Sequence, residues 1–511
     1  MSTATTTPPP ATRLSLSLLA LGLGLGLLAD QLMRAMPWGL NFTLCTLAFC
    51  AAGAWAVRHF RLPVSADTPW LAFSAVLCAV AFVRRDSEAL HLLDVGALIG
   101  AVALTALAAQ GASVRLRGIS AYVIAVCVGC ANAWFGGLRL VLGDIPWRDL
   151  QAGGRWRHVG AVAVGLLVAV PLLLVFGGLF VSADAAFAAF VSSIHVDLET
   201  VTSHVFLVAV FAGLSAGTLR GAFLGSARIA ALGERLESPG VRFTTTATAL
   251  AALDLLFLLF VALQARWLFG GAGVIEATTG LTVSEYARRG FFELVTAAAL
   301  VIPLLLVADW ATLRENRREE QSFRALALLL VLLVGALLAS ALQRMLLYVR
   351  LFGLTELRLY TTAFMVLLGG VSAWLAWTVL RGARARFAFG ALVQTTAVLA
   401  GLHIANPDAL IARVNLGRDP GAVPLDATYV AGVLSADAVP VLLASLPRLG
   451  AAERAQVARC LLERWGAGSH RGRDWRSWNW SASRALTLVH ERRAALETVL
   501  TPGPGPCRPR D

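Results

Sequence analysis

One carboxyl group in this 511-residue chain stands where carboxyl groups are rare: Asp254, inside the apolar run TALAALDLLFLLFVAL. At the centre of a bilayer such a group costs about 2.5–3.5 kcal/mol on insertion scales, so it needs a partner, water or a proton. It can bind and release a proton or a cation, or it can fix helix packing through one interhelical hydrogen bond. Ala247 and Ala251 fall on roughly the same helix face. Small-residue faces pack against other helices, so Asp254 is expected to point into a bundle. Glu293 is the second candidate, in Tyr286-Ala-Arg-Arg-Gly-Phe-Phe-Glu293. Glu285, Arg289 and Glu293 share one helix face at a spacing of four. That suits a charged vestibule just inside the membrane, and it equally suits an ion-pair ladder at a helix end.

A third group lies in the polar connection from Gln343 to Tyr360, with Arg344, Tyr348, Arg350 and Arg358. Guanidinium and phenol groups beside a membrane surface recognise anions such as phosphate or a lipid headgroup, and they also serve as interfacial anchors. Gly353 suits a helix C-terminus, Thr355 an N-cap, and Glu356 a first turn favoured by the helix dipole. His91 and Asp94, at i and i+3, suggest a His–carboxylate pair or simple helix-end solvation. His195, Asp197, Glu199 and His204 cluster in one stretch but lack the H-x-x-x-H and H-E-x-x-H geometries, so no metal is expected. Asp30 and Asp184 are weak candidates for an outward-facing catalytic carboxylate.

All 43 basic residues are arginine, which excludes Schiff-base and P-loop lysine chemistry. No nucleophile elbow, Walker loop, dinucleotide fingerprint or nucleic-acid motif is present. No cofactor and no nucleic acid are expected as partners; the bilayer is, with a small solute or lipid headgroup as ligand. Cys127-Val-Gly-Cys130 is formally a C-x-x-C, but two small apolar residues at i, i+3 explain it. Five of the seven cysteines lie in apolar runs, so no disulfide framework is expected.

Composition says what must position these groups. Charged residues make up 14% of the chain and hydrophobic ones 58%, against roughly 25% charged in soluble domains. A soluble enzyme and a disordered chain are excluded. Runs long enough for a ~30 Å hydrocarbon core fall near 14–29, 38–57, 69–83, 89–109, 119–141, 158–181, 203–219, 243–266, 290–309, 325–343, 359–380 and 387–404. The fold class is therefore all-α: a polytopic bundle of about 12 spans over 13–405, after a disordered stretch at 1–12. The first run reads as a span rather than a signal peptide, since only Arg13 precedes it.

From Asn406 the hydrophobic runs shorten and helix punctuation appears. Asn406-Pro407 predicts a cap and first helical residue of a helix through about Leu416. Asp426 and Ser435 are further caps, and 451–465 and 481–500 have helical periodicity. A helical C-terminal domain is expected over 406–500, then a disordered tail, 501–511. Trp465, Trp475, Trp478 and Trp480 crowd one part of it, suiting either a bilayer interface or a small core. Arginines in 220–242, 311–324 and 381–386 place those loops in the cytoplasm, and the C-terminal domain outside it. Arg58, Arg61, Arg115 and Arg117 then fall on the external side, so one miscounted helix would reverse the N-terminus.

Phe180-Val-Ser-Ala-Asp184, the Tyr286–Glu293 stretch, Arg344-Met-Leu-Leu-Tyr348 with Gly353-Leu-Thr355-Glu356-Leu-Arg358, and Asn406-Pro-Asp408 through Asn415 resemble a family of bacterial multipass proteins. This is the domain of unknown function four-one-seven-three, with its sibling four-one-five-three. The resemblance covers roughly 140–440 and implies an integral membrane protein, bringing no substrate or catalytic residue. Three functions stay open: transport or sensing of a small solute or ion through a polar intramembrane site, an embedded enzyme acting on lipid-linked or envelope substrates, and a regulatory scaffold. Bacterial cytoplasmic membrane is the expected location.

Overall fold

The computed structural model describes residues 10–147 apart from 112 and 116, scattered positions between 165 and 187, and 198–225, 239–279, 291–418, 424–466, 474–500 and 507. The chain is almost entirely helical. In order come α1 (Pro10–Met33), α2 (Leu40–Phe60), α3 (Thr68–Arg84), α4 (Glu88–Ala109), α5 (Ile119–Arg139), α6 (Leu198–Leu224), α7 (Phe243–Thr279) and α8 (Phe291–Ala311). Then follow α9 (Arg317–Phe352), α10 (Glu356–Thr378), α11 (Phe387–Ala405), α12 (Pro407–Leu416), α13 (Val439–Ser445), α14 (Ala451–Trp465), α15 (Trp480–Glu491) and α16 (Arg493–Thr498). Two-residue strands β1 (Val241–Arg242) and β2 (Thr312–Leu313) pair in parallel.

Ten of the described helices are long and apolar enough to cross a membrane, and α3 is a shorter apolar helix of 17 residues. The expected run at 158–181 lies mostly outside the described residues. Apolar side chains project outward along these helices, as on Leu255, Leu259, Leu332 and Val366. In a bundle facing lipid that outward surface is solvated by acyl chains, while backbone polarity is satisfied within each helix.

The chain divides into two compact units. One comprises Met1–Ala79, Leu98–Ser113 and Val123–Ala230; the other comprises Val80–Ala97, Val114–Tyr122 and Ala231–Asp511. In the first, α1 packs along α6 with almost no side chain between them. A Cβ added at Gly22 would lie 2.5 Å from the Ala216 Cβ, and one at Gly26 would lie 2.7 Å from the Ala212 Cβ. Close backbone approach of this kind drives helix association in lipid, where apolar burial gives no net gain.

In the second unit α9 is the central element. Its 36 residues rise about 54 Å, well beyond a ~30 Å apolar core. Phe323, Ala327, Leu330, Val334, Leu338, Ala341 and Met345 recur every three or four residues and are buried against α7, α8 and α10. Beyond the apolar run the helix continues, and Val349 and Leu354 join a second core. That core holds Ile411, Val430, Leu434, Leu442, Val457, Leu461, Trp465 and Val489. The helices after Asn406 thus share their interior with the α9–α10 connection.

Local punctuation behaves as its chemistry dictates. Asn406 takes a left-handed conformation (φ 55°), caps α12 by accepting from the Ala409 amide, and is followed by Pro407 at the first helical position. Thr355 and Ser435 accept from Arg358 N and Asp437 N, and Asp426 from Tyr429 N. The cysteine expectation is corrected: Cys460 and Cys507, whose Cα atoms are 5.1 Å apart, form a disulfide across 47 residues. Both cysteines lie outside the apolar runs.

Candidate functional site

Asp254 sits on the packed face of α7. The residue is 4% exposed, and among the described residues neither carboxyl oxygen has a hydrogen-bond partner. Its companions on that face are Leu250 and Phe257, which belong to the core formed with α8, α9 and α10. Of the two alanines expected on that face, Ala251 is exposed and Ala247 half-buried. The same seam holds one satisfied polar contact. Ser340 Oγ of α9 donates to Gln264 Oε1 at 2.7 Å, both side chains buried, about 15 Å along the helix from Asp254.

Glu293 is exposed on the first turn of α8. Arg289 and Glu285 lie outside the described residues. In the α9–α10 connection the structure brings two of four candidates together. The Arg358 guanidinium stands 4.2 Å from the Tyr348 ring and donates to the carbonyls of Phe352 and Gly353 at the end of α9. Arg358 thereby caps a helix C-terminus, satisfying carbonyls the helix leaves open. Arg344 is half-buried and Arg350 exposed.

His91 and Asp94 do not pair. His91 Nε2 lies 2.9 Å from the Arg85 carbonyl oxygen and its ring stacks on Phe82 at 4.3 Å. Asp94 Oδ1 instead meets His403 Nε2 of α11 at 2.9 Å. Around this couple lies a dense polar node. Ser87 Oγ and Tyr360 Oη are 3.4 Å apart, and the charges of Asp94, Glu356 and Asp408 all act on Tyr360. Asp408 and Glu356 act electrostatically on one another, two carboxyl groups within the same node. Asp408 is fully buried; its Oδ2 accepts from Ser435 N at 3.2 Å, while Oδ1 has no partner among the described residues. Burial pushes the Asp408 carboxyl up, Asp437 adds to this, and the Ser435 amide and hydroxyl oppose it. Tyr429, whose hydroxyl accepts from Glu356 N at 3.0 Å, is pushed up to about 12 by burial.

Beside the node is an ion pair whose carboxylate is well supplied with donors. Arg85 donates to Asp437 Oδ1 at 3.0 Å; Asp437 also accepts from Ser481 Oγ at 2.7 Å and from the Asp86 amide at 2.9 Å. The Asn479 amide donates to the carbonyls of Phe82 and Arg85, each at 2.6 Å. These bonds tie the α3–α4 turn to the C-terminal helices.

A family model described as a domain of unknown function, DUF4153, matches residues 72–445. The chain belongs to this family. No curated protein and no solved structure matches it. The DUF4153 region begins well before the 140–440 covered by the sequence resemblance and contains Asp94, Asp254, Glu356, His403, Asp408 and Asp437. Asn479, Ser481 and the disulfide lie beyond it. Two of the stretches that carried the resemblance meet within this DUF4153 region. Asn415 bonds both backbone polar groups of Leu354, at 2.7 and 2.8 Å.

Of the node's members, Asp94 was a candidate read from the sequence, whereas His403 and Asp408 were not. His403 carried a signal, being the one ionisable residue in the apolar run 387–404. In the other unit, Asp30 accepts from Arg34 Nε at 2.9 Å and lies 2.5 Å from His204 Nδ1. His195 and Asp197 fall outside the described residues, and Glu199 is exposed. Asp184 caps the amides of Ala186 and Phe187 at 2.7 and 2.8 Å.

Proposed function

We propose that this multipass protein moves or senses a small solute or ion across a bacterial cytoplasmic membrane, using Asp254 as a protonatable group within the membrane. The observation that carries the reading is the burial of Asp254 with both oxygens unpartnered among the described residues. An ionised carboxylate in such a place is costly, and a neutral one is not. Taking up and releasing one proton therefore changes what this seam can accommodate. The Asp94–His403 couple and the buried Asp408 place further polar groups at the end of the bundle nearest the C-terminal helices. The candidate anion site is reduced, since Arg358 is occupied with helix carbonyls.

The reading includes an orientation with the C-terminal helices outside the cytoplasm. Arginine-rich loops at 311–324 and 381–386 support it, as does the Cys460–Cys507 disulfide, since such bonds persist in oxidising compartments. The α3–α4 turn is bonded to those same helices, so it shares their side.

A hydrophobic carbodiimide, which reacts with protonated carboxyl groups in lipid, tests Asp254 directly. In membranes, the peptide carrying Asp254 should gain the adduct mass, more of it as pH falls, and Asp254→Asn should abolish it. An unmodified peptide at every pH would remove the reading's support.

A further inference from the structure

Residues 475–481 alternate between two environments. Trp475, Trp478 and Trp480 are 63%, 39% and 47% exposed, whereas Ser477, Asn479 and Ser481 are buried. The buried members fix the depth of the exposed ones. Asn479 bonds the carbonyls of Phe82 and Arg85, and Ser481 bonds that of Arg84 at 2.9 Å, so this short stretch lies against the last turn of the apolar helix α3. Trp478 and Trp480 are each one residue, about 3.8 Å of chain, from Asn479. Three large amphipathic rings are therefore displayed at the level where a membrane helix ends.

Their surroundings say what covers them. Val80 on α3 and Leu92 on α4 are also exposed, at 45% and 74%, so an apolar surface continues from the helices toward the tryptophans. Arg84, the last residue of α3, is exposed. The Arg484 guanidinium stands 5.4 Å from the Trp480 ring. Arg476 is compensated by Asp474 at 2.6 Å. Indole rings with an apolar body and one N–H donor settle at the acyl–headgroup boundary. Guanidinium groups at the same level pair with phosphate.

We propose that Trp475, Trp478 and Trp480, with Arg84 and Arg484, form a surface that inserts the C-terminal helices into the phospholipid headgroup layer. Anionic phospholipid is the preferred contact. The surface holds the α14–α15 region down onto the bilayer beside the α3–α4 turn, independently of what Asp254 does.

The full chain, with its five free cysteines replaced by alanine and the disulfide kept, is spin-labelled after Trp475→Cys or Trp478→Cys and reconstituted in phosphatidylethanolamine–phosphatidylglycerol vesicles. Oxygen should relax the label at least as strongly as it relaxes one placed at Leu92, and an aqueous nickel chelate should reach it poorly. Access to nickel equal to that of free label would overturn the proposal. So would a label shielded from both reagents, which would mean that protein covers the surface. In the cysteine-intact protein, Arg84→Gln and Arg484→Gln should each weaken phosphatidylglycerol retention about fivefold, equivalent to ~1 kcal/mol per arginine. Unchanged retention in the double variant would exclude the anionic preference.

Discussion

Asp254 and Asp437 are both buried aspartates, 4% and 5% exposed, and their surroundings are opposite. Asp437 is held by Arg85, Ser481 and the Asp86 amide; Asp254 has no bonded oxygen among the described residues. A buried charge kept for structure is surrounded by donors, because each unmet bond costs about 1–3 kcal/mol. A buried carboxyl kept for exchange must be able to give its proton up and take it back. The contrast separates a bonded aspartate from one that the proposal puts to work, and Asp408 stands between them, with one oxygen bonded and one without a partner among the described residues.

Breaking the furnished site should have the largest effect. Arg85→Gln leaves Asp437 buried without its cation and should lower stability by about 3–5 kcal/mol, read as thermal unfolding in detergent. A loss under ~1 kcal/mol would mean that the node is wetter than its geometry implies. Cys460→Ser opens a 47-residue loop and should cost about 2–4 kcal/mol; the same experiment on a chemically reduced wild type should match it.

Asp408 supplies the intermediate case through pH. Its folded carboxyl is raised above the ordinary 3.8, so the folded state holds its proton more tightly than the unfolded state does. The associated stability is full below that ordinary value and is lost as pH rises through the folded value. Asp408→Asn should flatten this decline and leave the acid end unchanged; an equally steep decline in the variant would assign it to another group. Asp254→Leu should have the smallest effect, leaving unfolding unchanged or slightly raised, since no bond is lost and an expensive group is removed. A large destabilisation would place Asp254 with Asp437 after all.

Much of this architecture was legible in the residues. Apolar run lengths marked the spans, and Asn406-Pro407, Gly353 and Thr355 marked helix ends, because both signals are local. Periodicity also brought Asp254 inward, although of the two alanines assigned to that face Ala251 is exposed and Ala247 half-buried. The node was not legible for a physical reason. Asp94 pairs with His403 across 309 positions, and Arg85 with Asp437 across 352. Local spacing favoured His91 for Asp94, yet His91 is engaged by the Arg85 carbonyl and Phe82. The Cys460–Cys507 bond is non-local in the same way. The four tryptophans shared one composition signal and then divided, Trp465 into the core at 1% exposure and the other three to the surface.

Proton movement through the intact protein decides the central claim. In sealed vesicles containing the full chain and an internal pH dye, an imposed pH gradient should dissipate faster than in protein-free vesicles. Asp254→Asn should return the rate to that of empty vesicles, while Asp254→Glu retains part of it. Equal rates for wild type and Asp254→Asn, with both proteins correctly folded and inserted, would contradict the account.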